Sequence, residues 1–535
     1  MSLPRFFSRV KDSIGPLLVG EADTRELLAS TSVLLEAPTS IEEHPYHVAG
    51  LMLLANLCAR LYPTIRIVAP SRVVDDCRVL VTQINPHCEL IPEFGATNGT
   101  VAWACASSNV NAVHVAPAGW EVLIDLPEAS RIHRTNMLVA LAAATIGASE
   151  LFRDVFAAYL AKPRRRATPG RFNVLTHSPT AATLPDLPPD IALGRVHLVG
   201  AGAVGQAALY ALARISATGT ITVVDPEDIE LSNLQRYVLT TDADVGIAKC
   251  EIAERTMRKS RIDVVSVRST WSQDLPGVQG AEVICAAVDS EETRIAIQAA
   301  LPRRVYNAWT QPGDIGWSRH ERFGLDPCAA CLYWPMSRRP SYSELVARAI
   351  HQHELRVLAY LIHKIPVGAP LRVEQIPKLP QMSAPPDAGE WTERTLLADV
   401  AIAMRVEPEE VEKWKESRLQ DLYHEGVCGG ALLAKLQGVL SHDVAVPLAH
   451  QSVLAGIMLA AQLVVAAHPD LRAYRSIATE ERLDLLAGFP QLTSRPRKRT
   501  PACICSDPDF IEVYQSKWPG PGPRLAEDAG SHAAE

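Results

Sequence analysis

The sequence predicts an α/β protein in which helices flank parallel sheets, and three observations lead to this fold class. Short apolar segments typical of strands alternate with longer segments whose apolar residues have helical spacing. A glycine-rich loop joins a buried strand to an apolar helix at residues 196–212. The chain has 535 residues, which is enough for two or three domains that each have a core.

The composition is that of an ordinary globular protein. It is 47% hydrophobic and 21% charged, and the net charge of −8 provides no bulk attraction to nucleic acid or an anionic membrane. Eleven scattered cysteines make a poor disulfide framework, which indicates a reducing, cytoplasmic location. The basic N-terminal segment lacks the sustained apolar core of a signal peptide. Apolar runs such as residues 453–467 fit buried core helices.

Helices and strands alternate over the first 170 residues. The predicted elements are a helix over 42–62, a strand over 64–70, a helix over 71–86, a strand over 121–127 and a helix over 134–161. No glycine-rich loop follows either strand. Residues 162–190 are rich in proline, threonine and arginine, which is typical of a linker.

The glycine-rich loop has the pattern of a nucleotide-binding turn. Gly200 makes the turn, Gly202 lets the backbone approach phosphate, and Gly205 lets helix and strand pack closely. The helix that comes next presents its N-terminus to the phosphates. Asp225 ends the next strand, where a ribose hydroxyl is held. Taken alone, this pattern favours an NAD-dependent dehydrogenase over a purely structural turn.

The residues after Asp225 favour a polyphosphate instead. Asn233 and Arg236 lie in "PEDIELSNLQRY" and are candidates to contact β- and γ-phosphates. Lys249 in "VGIAKC" adds a second cation, and Asp289 at the end of "ICAAVD" is suited to hold Mg²⁺. Each charge alone would be an ordinary surface group. Together, in this order, they predict an ATP site.

The quoted segments resemble the adenylation domain of the ubiquitin-activating (ThiF/MoeB-type) superfamily, which includes bacterial activators of sulfur-carrier proteins. The family signature is GxGxxG, DxDxVxxSNLxRQ, GxxK and an Asp at a strand end. This chain departs from it with Glu227 for the second Asp, Ile229 for the Val and Tyr237 for the Gln. The resemblance covers residues 192–340 and 425–510.

The resemblance implies an activity and a set of site residues. A substrate's C-terminal carboxylate would attack the α-phosphate of ATP and release pyrophosphate, leaving an acyl-adenylate. Mainly positioning and charge neutralisation would accelerate this step. The residues implied to bind MgATP are Gly200, Gly202, Gly205, Asp225, Asn233, Arg236, Lys249 and Asp289. Arg236 and Asp289 also count as catalytic.

Two cysteine pairs are candidates for a structural zinc site. Cys328 and Cys331 form a CxxC pair, and Cys503 and Cys505 form a CxC pair. Four thiolates in two close pairs suit a tetrahedral Zn²⁺, although two unrelated pairs of free thiols would give the same sequence. The resemblance implies that the pairs meet, but the family's second pair is CxxC.

Cys428 lies in the glycine-rich stretch "HEGVCGGALL". The resemblance implies that it accepts the activated acyl group as a thioester, which suits a nucleophilic thiol. The alternative is an inert thiol in a loop. The remaining cysteines, namely Cys58, Cys77, Cys88, Cys105, Cys250 and Cys285, are predicted to pack in the core.

The resemblance also implies a domain layout. The expected parts are an inactive adenylation-like half (1–170), a linker (171–191), the active adenylation domain (192–340), a helical insertion (341–425), the cysteine loop with the second zinc pair (426–510) and a mostly disordered tail (511–535). An unrelated α/β domain is the alternative for the first part. In the family a partner half supplies an arginine to ATP, and the candidates here are Arg25, Arg131 and Arg134. A homodimer formed by self-pairing is a further option.

The predicted function is ATP-dependent activation of a ubiquitin-like protein, thioester transfer to Cys428 and hand-over to a ubiquitin-conjugating-like enzyme. In size the chain resembles activating enzymes of bacterial ubiquitin-like conjugation operons, some of which serve antiviral defence. One alternative is an enzyme that adenylates a sulfur carrier, a peptide or a tRNA without a thioester. A dehydrogenase and a non-catalytic nucleotide-fold scaffold are two further alternatives.

Overall fold

The computed structural model describes residues 24–91, 97–160, 169–311, 314–333, 447–486 and 492–519, with a few isolated positions between 396 and 416. The chain divides into two compact units, one formed by 1–336 together with 447–535 and the other by 337–446. The numbered helices and strands all belong to the first unit. Cys428 and nearly all of the predicted insertion at 341–425 lie outside the described residues.

The first half of this unit contains a seven-stranded sheet with the order β3-β2-β1-β4-β5-β6-β7. Its strands are β1 (Ser32–Glu36), β2 (Thr64–Val68), β3 (Glu89–Ile91), β4 (Gly99–Trp103), β5 (Val113–Ala118), β6 (Glu121–Ile124) and β7 (Gly170–Asn173). The strands from β3 to β5 pair in parallel, and β6 and β7 join antiparallel.

The second half contains an eight-stranded sheet with the order β10-β9-β8-β11-β12-β13-β14-β15. Its strands are β8 (Ile191–Val199), β9 (Ala217–Val224), β10 (Arg261–Val267), β11 (Val283–Ala286), β12 (Arg304–Gln311), β13 (Asp314–His320), β14 (Glu480–Asp484) and β15 (Leu492–Ser494). Here too the first five strands pair in parallel and the last three join antiparallel.

The two sheets share one topology. Adding seven to each strand number of the first sheet reproduces the order of the first seven strands of the second, which has β15 as an additional edge strand, and the strand directions agree as well. This repetition confirms the predicted Rossmann-like fold with two halves. The halves differ between the fourth and fifth strands, because the second has a helix there and the first has the loop 104–112.

Helices flank both sheets. The described ones are α1 (Thr24–Ala29), α2 (Pro45–Ala59), α3 (Ser71–Ile84), α4 (Met137–Val155), α5 (Ala203–Leu212), α6 (Lys249–Met257), α7 (Glu291–Ala299), α8 (Ala449–Ala467), α9 (Pro469–Arg472) and α10 (Pro508–Lys517). Asn136 caps α4 by accepting a hydrogen bond of 3.1 Å from the Val139 N–H. Pro45 at the first position of α2 fits a helix start, where its missing N–H is not needed.

Helices α4 and α8 join the halves. Both are buried along almost their whole length, and α8 packs on α5 as well as on α4. One hydrophobic cluster therefore includes residues from both sheets. Within the described ranges, α8 is the helix long and apolar enough to cross a membrane by length and composition, and protein covers it entirely.

Two predicted boundaries need correction. The linker predicted at 171–191 begins too early, because Gly170–Asn173 is strand β7 and pairs antiparallel with β6. The tail predicted to be mostly disordered from 511 also begins too early, because its first residues belong to helix α10, which continues to Lys517. In both cases the neighbouring sequence is rich in proline, so the short ordered element was not predicted.

Candidate nucleotide site and metal centre

The glycine loop lies where β8 ends and α5 begins. Gly200 has φ of +94°, a backbone conformation that residues with a Cβ rarely adopt. A Cβ on Gly200 would lie 2.6 Å from the carbonyl oxygen of Ala287, and one on Gly205 would lie 2.0 Å from that of Gly200. Gly202 occupies the N-cap position of α5. The loop therefore needs glycine at positions 200 and 205, and its backbone N–H groups are placed to receive an anion.

Asp225 ties this loop to the end of β9. Its Oδ2 accepts a hydrogen bond from the Ala201 N–H at 2.7 Å, and its Oδ1 accepts one from the Glu227 N–H at 2.9 Å. Asp225 is only 7% exposed, and this burial raises the pKa of its carboxyl group, although Lys249 opposes the shift. Both oxygens retain acceptor capacity, since a carboxylate offers about four lone-pair sites.

Two predicted phosphate-binding cations share one aromatic ring. The Nζ of Lys249 lies 5.3 Å from the centre of the Tyr237 ring, and the Cζ of Arg236 lies 5.5 Å from it. Lys249 also pairs with the carboxylate of Glu227. Burial lowers the pKa of Lys249, but Tyr237, Asp225 and Glu227 outweigh burial and raise it above its ordinary value. The Lys249 ammonium therefore stays charged at neutral pH.

Tyr237 is buried and supports the glycine loop. A Cβ on Gly202 would lie 3.4 Å from the Tyr237 hydroxyl oxygen, so this hydroxyl faces the loop. The side chain at the position of the family's usual Gln thus lies beside the glycine loop.

Asn233 is buried, and its side chain has a local role. Its Oδ1 accepts a hydrogen bond of 3.0 Å from the Glu230 N–H, and its Nδ2 donates to Ser232 Oγ at 3.4 Å. These bonds cap the short 3-10 turn that carries the residue. Asn233 therefore shapes the segment before Arg236, and its predicted phosphate contact remains a prediction.

Asp289 is exposed and lies three residues after the end of β11. The neighbouring Ser290 caps α7 by accepting a hydrogen bond of 3.1 Å from the Thr293 N–H. A buried arginine, Arg294, donates to the carbonyl oxygen of Val288 and to that of Ala308 at 3.3 Å, and so anchors the loop before Asp289. Sequence reasoning missed Arg294, because a single arginine in a helix has no motif around it.

The eight residues predicted to bind the nucleotide thus lie at the ends of the adjacent strands β8, β9 and β11 and in the segments that follow these strands. This edge is the switch point of the sheet, where parallel α/β folds bind ligands. Among the arginine candidates from the first half, Arg134 is exposed and pairs with Asp186 at 2.6 Å. Arg131 is exposed, and the side chain of Arg25 lies outside the described residues.

The two cysteine pairs meet. The four sulfur atoms of Cys328, Cys331, Cys503 and Cys505 all lie within 4.8 Å of one another, and all four side chains are buried. Across the pairs, Cys328 Sγ lies 3.5 Å from Cys503 Sγ, and Cys331 Sγ lies 3.4 Å from Cys505 Sγ.

This cluster fits zinc. Zn–S bonds of about 2.3 Å in a tetrahedron place sulfurs about 3.8 Å apart, close to the distances between the pairs. The Thr500 N–H donates to Cys331 Sγ at 3.5 Å, as backbone amides do at thiolate metal sites. The CxC spacing of the second pair is therefore compatible with a four-cysteine metal centre.

The other described cysteines pack in the core as predicted, apart from a half-buried Cys105. Burial raises the pKa of Cys285 to about 12 and that of Cys250 to about 11, so both thiols are protonated at neutral pH. Cys428 lies outside the described residues, and its predicted role as a nucleophile stays a prediction.

Comparison with known proteins defines the class. Residues 189–351 match the ThiF family. "Uncharacterized protein y4jF" from Sinorhizobium fredii is 32% identical over 500 residues, which cover 88% of each chain. The chain belongs to the ThiF/MoeB-type adenylating superfamily.

Shorter matches cover about a fifth to a quarter of the chain. The "SAMP-activating enzyme E1" of Haloferax volcanii is 39% identical over 104 residues, or 19% of this chain and 38% of that protein. The "Sulfur carrier protein ThiS adenylyltransferase" of Bacillus subtilis is 31% identical over 148 residues, or 26% and 43%. Among solved structures, Escherichia coli MccB is 15% identical, with a TM-score of 0.34 over 64% of this chain and 68% of that one.

Proposed function

We propose that this protein uses MgATP to adenylate the C-terminal carboxylate of a ubiquitin-like carrier protein. The observation that supports this most is the meeting of the glycine loop with Lys249 and Arg236 at one edge of the second sheet. Relatives named as an activating enzyme and as a carrier-protein adenylyltransferase support the substrate class.

The chemistry would rest on positioning and charge neutralisation. The carrier carboxylate attacks the α-phosphorus of ATP, the bond from that phosphorus to the bridging oxygen breaks, and pyrophosphate leaves. Backbone N–H groups after Gly200 and the N-terminus of α5 would bind phosphate oxygens, while Lys249 and Arg236 neutralise the charge on the leaving pyrophosphate. Asp289 would hold Mg²⁺, which supplies further neutralisation at the phosphates.

We further propose that Cys428 receives the activated carrier. The thiolate would attack the carbonyl carbon of the acyl-adenylate, and AMP would leave as the thioester forms. A ubiquitin-conjugating-like enzyme would then take the carrier by exchange between thiols. Resemblance to bacterial conjugation enzymes supports this step, a cytoplasmic location and a part in antiviral defence.

Activation of a sulfur carrier without a thioester is the second candidate. The match to a protein named as the adenylyltransferase of a sulfur carrier favours it. Both candidates share the adenylation step and differ only in the fate of the acyl-adenylate.

The experiment incubates the protein with MgATP and a ubiquitin-fold protein encoded beside it. Intact mass should show the carrier with one added AMP, and a non-reducing gel should show an adduct that thiols remove. Cys428→Ala should abolish the adduct and keep the adenylate, whereas Cys105→Ala, which removes a half-buried thiol of the first half, should keep both. An adenylate without any adduct supports the sulfur-carrier candidate. If no adenylate forms with any carrier, the proposed adenylation activity is contradicted.

A further inference from the structure

A buried arginine of the first half reaches into the second. Arg60 lies directly after the last residue of α2, and its Nε donates to Asn56 Oδ1 at 2.8 Å, which fixes the plane of the guanidinium. The rest of the group donates to backbone carbonyl oxygens of the second half: to Leu234 through Nη1, and through Nη2 to Val238 at 3.2 Å and Thr240 at 3.0 Å.

None of the hydrogen-bond acceptors of Arg60 in the described part of the chain is a carboxylate. Arg60 is only 1% exposed, and burial lowers its pKa to about 9, partly offset by Tyr210 and Asp244. It remains protonated at neutral pH. Burying a cation among neutral carbonyl oxygens costs desolvation energy. The benefit is geometric, because the planar guanidinium group fixes the positions of several acceptors at once.

The carbonyls that Arg60 fixes belong to the segment that carries the predicted phosphate contacts. Leu234 comes after Asn233, and Val238 comes after Tyr237, so the fixed carbonyls lie on both sides of Arg236. Asn56 adds a bond of 3.2 Å from its Nδ2 to the Val238 carbonyl. The backbone on both sides of Arg236 is therefore held by the first half.

We propose that Arg60 is a positioning residue for the nucleotide site, through which the first half sets the place of Arg236. The inference rests on the proposed function. It gives the first half a role in ATP binding, although that half has no glycine loop after β1. There the chain continues as Ala37 and Pro38 into a 3-10 turn over Thr39–Glu43.

The inference predicts a selective effect. Arg236 would contact the β- and γ-phosphates, so loss of its position should weaken binding of ATP more than binding of AMP. Loss of a charge-assisted hydrogen bond lowers affinity by roughly tenfold or more. A merely structural Arg60 would change the stability of the fold and leave the ratio of the two affinities unchanged.

The test measures binding of MgATP and of AMP by calorimetry to the full chain. Arg60→Met removes the charge and the fork, and Arg60→Lys keeps the charge but cannot reach three carbonyls together. We expect Arg60→Met to lose roughly tenfold or more in MgATP affinity and less than about threefold in AMP affinity. Arg60→Lys should lie between it and the wild type.

The matched control removes another buried arginine of the first half. Glu150→Gln/Arg153→Met disrupts a buried ion pair formed within α4. It should lower the unfolding temperature and keep the wild-type ratio of affinities. If both Arg60 variants keep that ratio while the wild type binds MgATP, the inference is wrong and the proposed function survives. A wild type that does not bind MgATP overturns both, and if Arg60→Met does not fold, Arg60→Lys decides.

Discussion

At the scale of single residues, Tyr237 is the most informative departure from the family signature. It replaces a polar amide with a ring that faces two cations and a hydroxyl that faces Gly202. A cation–π contact contributes about 0.5–1 kcal/mol at exposed sites and about 2 kcal/mol or more when desolvated, and Tyr237 and Lys249 are both buried. The ring thus offers a physical reason for both Lys249 and Arg236 to lie close to it.

Two substitutions test the importance of this ring. Tyr237→Ala should weaken MgATP binding by roughly fivefold or more, because two contacts of at least about 0.5 kcal/mol each are lost. Tyr237→Phe keeps the ring and should stay within about threefold of the wild type. Titration calorimetry measures both, and a Tyr237→Ala variant that binds as tightly as Tyr237→Phe would show that the ring is unimportant.

The sequence predicted those site residues that belong to motifs. Gly200, Asp225 and Lys249 were identifiable because each belongs to a spaced pattern with a chemical purpose. Arg60 and Arg294 were not, because most partners of Arg60 and half of those of Arg294 are backbone carbonyl oxygens, which every residue has. For Arg60 those partners are more than 170 residues away. Only the folded chain shows which backbone segments such arginines hold.

At the scale of elements, the contact of α8 with α5 depends on a glycine. A Cβ on Gly456 would lie 2.4 Å from the carbonyl oxygen of Val204 and 2.5 Å from the Cβ of Ala207. Backbone so close cannot move without shifting α5, and α5 begins at the nucleotide loop. The long apolar pattern of α8 predicted its burial, but not this close approach.

Gly456→Ala should therefore destabilise the fold by about 1–3 kcal/mol, the usual cost of overpacking a tight core. Thermal unfolding followed by circular dichroism measures the effect. Gly280→Ala is the control, since a Cβ there meets no atom within 4 Å. Equal unfolding temperatures for the two variants would contradict the close packing of α8 on α5.

Elements without strong sequence patterns were not predicted. Strands β1, β4 and β5 of the first half are short, and no glycine-rich loop or charge cluster marks their ends. Strand β7 has four residues within a segment rich in proline and arginine. By contrast, α2, α3 and α4 overlap the predicted helices, because their apolar spacing extends over several turns.

At the scale of the whole molecule, the cysteine cluster joins chain segments about 170 residues apart. The sequence suggested the pairs, and the fold brings them together because both pairs lie close to elements of the second half. The chain leaves the first unit at 336 and returns to it at 447. A bound zinc would cross-link the chain segments before and after this insertion. Such a site stabilises the folded chain directly.

Metal analysis of the purified chain should therefore find about one zinc per molecule. Cys331→Ser should lose the metal and unfold at a lower temperature, since three ligands rarely suffice for a structural site. Cys285→Ala removes a buried cysteine elsewhere and should keep the metal. A chain without zinc whose stability is unaffected by a chelator would contradict the presence of this metal centre.

The repeated topology is the other property of the whole molecule. The first half has no sequence motif, and only the strand order shows that it repeats the second. Because both halves share one core, we expect them to unfold together.

The central claim is adenylation of a carrier at the edge of the second sheet, and ATP–pyrophosphate exchange tests it most directly. With a ubiquitin-fold protein encoded beside this chain, the wild type should exchange labelled pyrophosphate into ATP. Asp289→Ala should abolish exchange, whereas Asp263→Ala, which removes an exposed carboxylate from the edge strand β10, should keep it. Exchange that persists undiminished in Asp289→Ala, or that never occurs in the wild type, would contradict the claim.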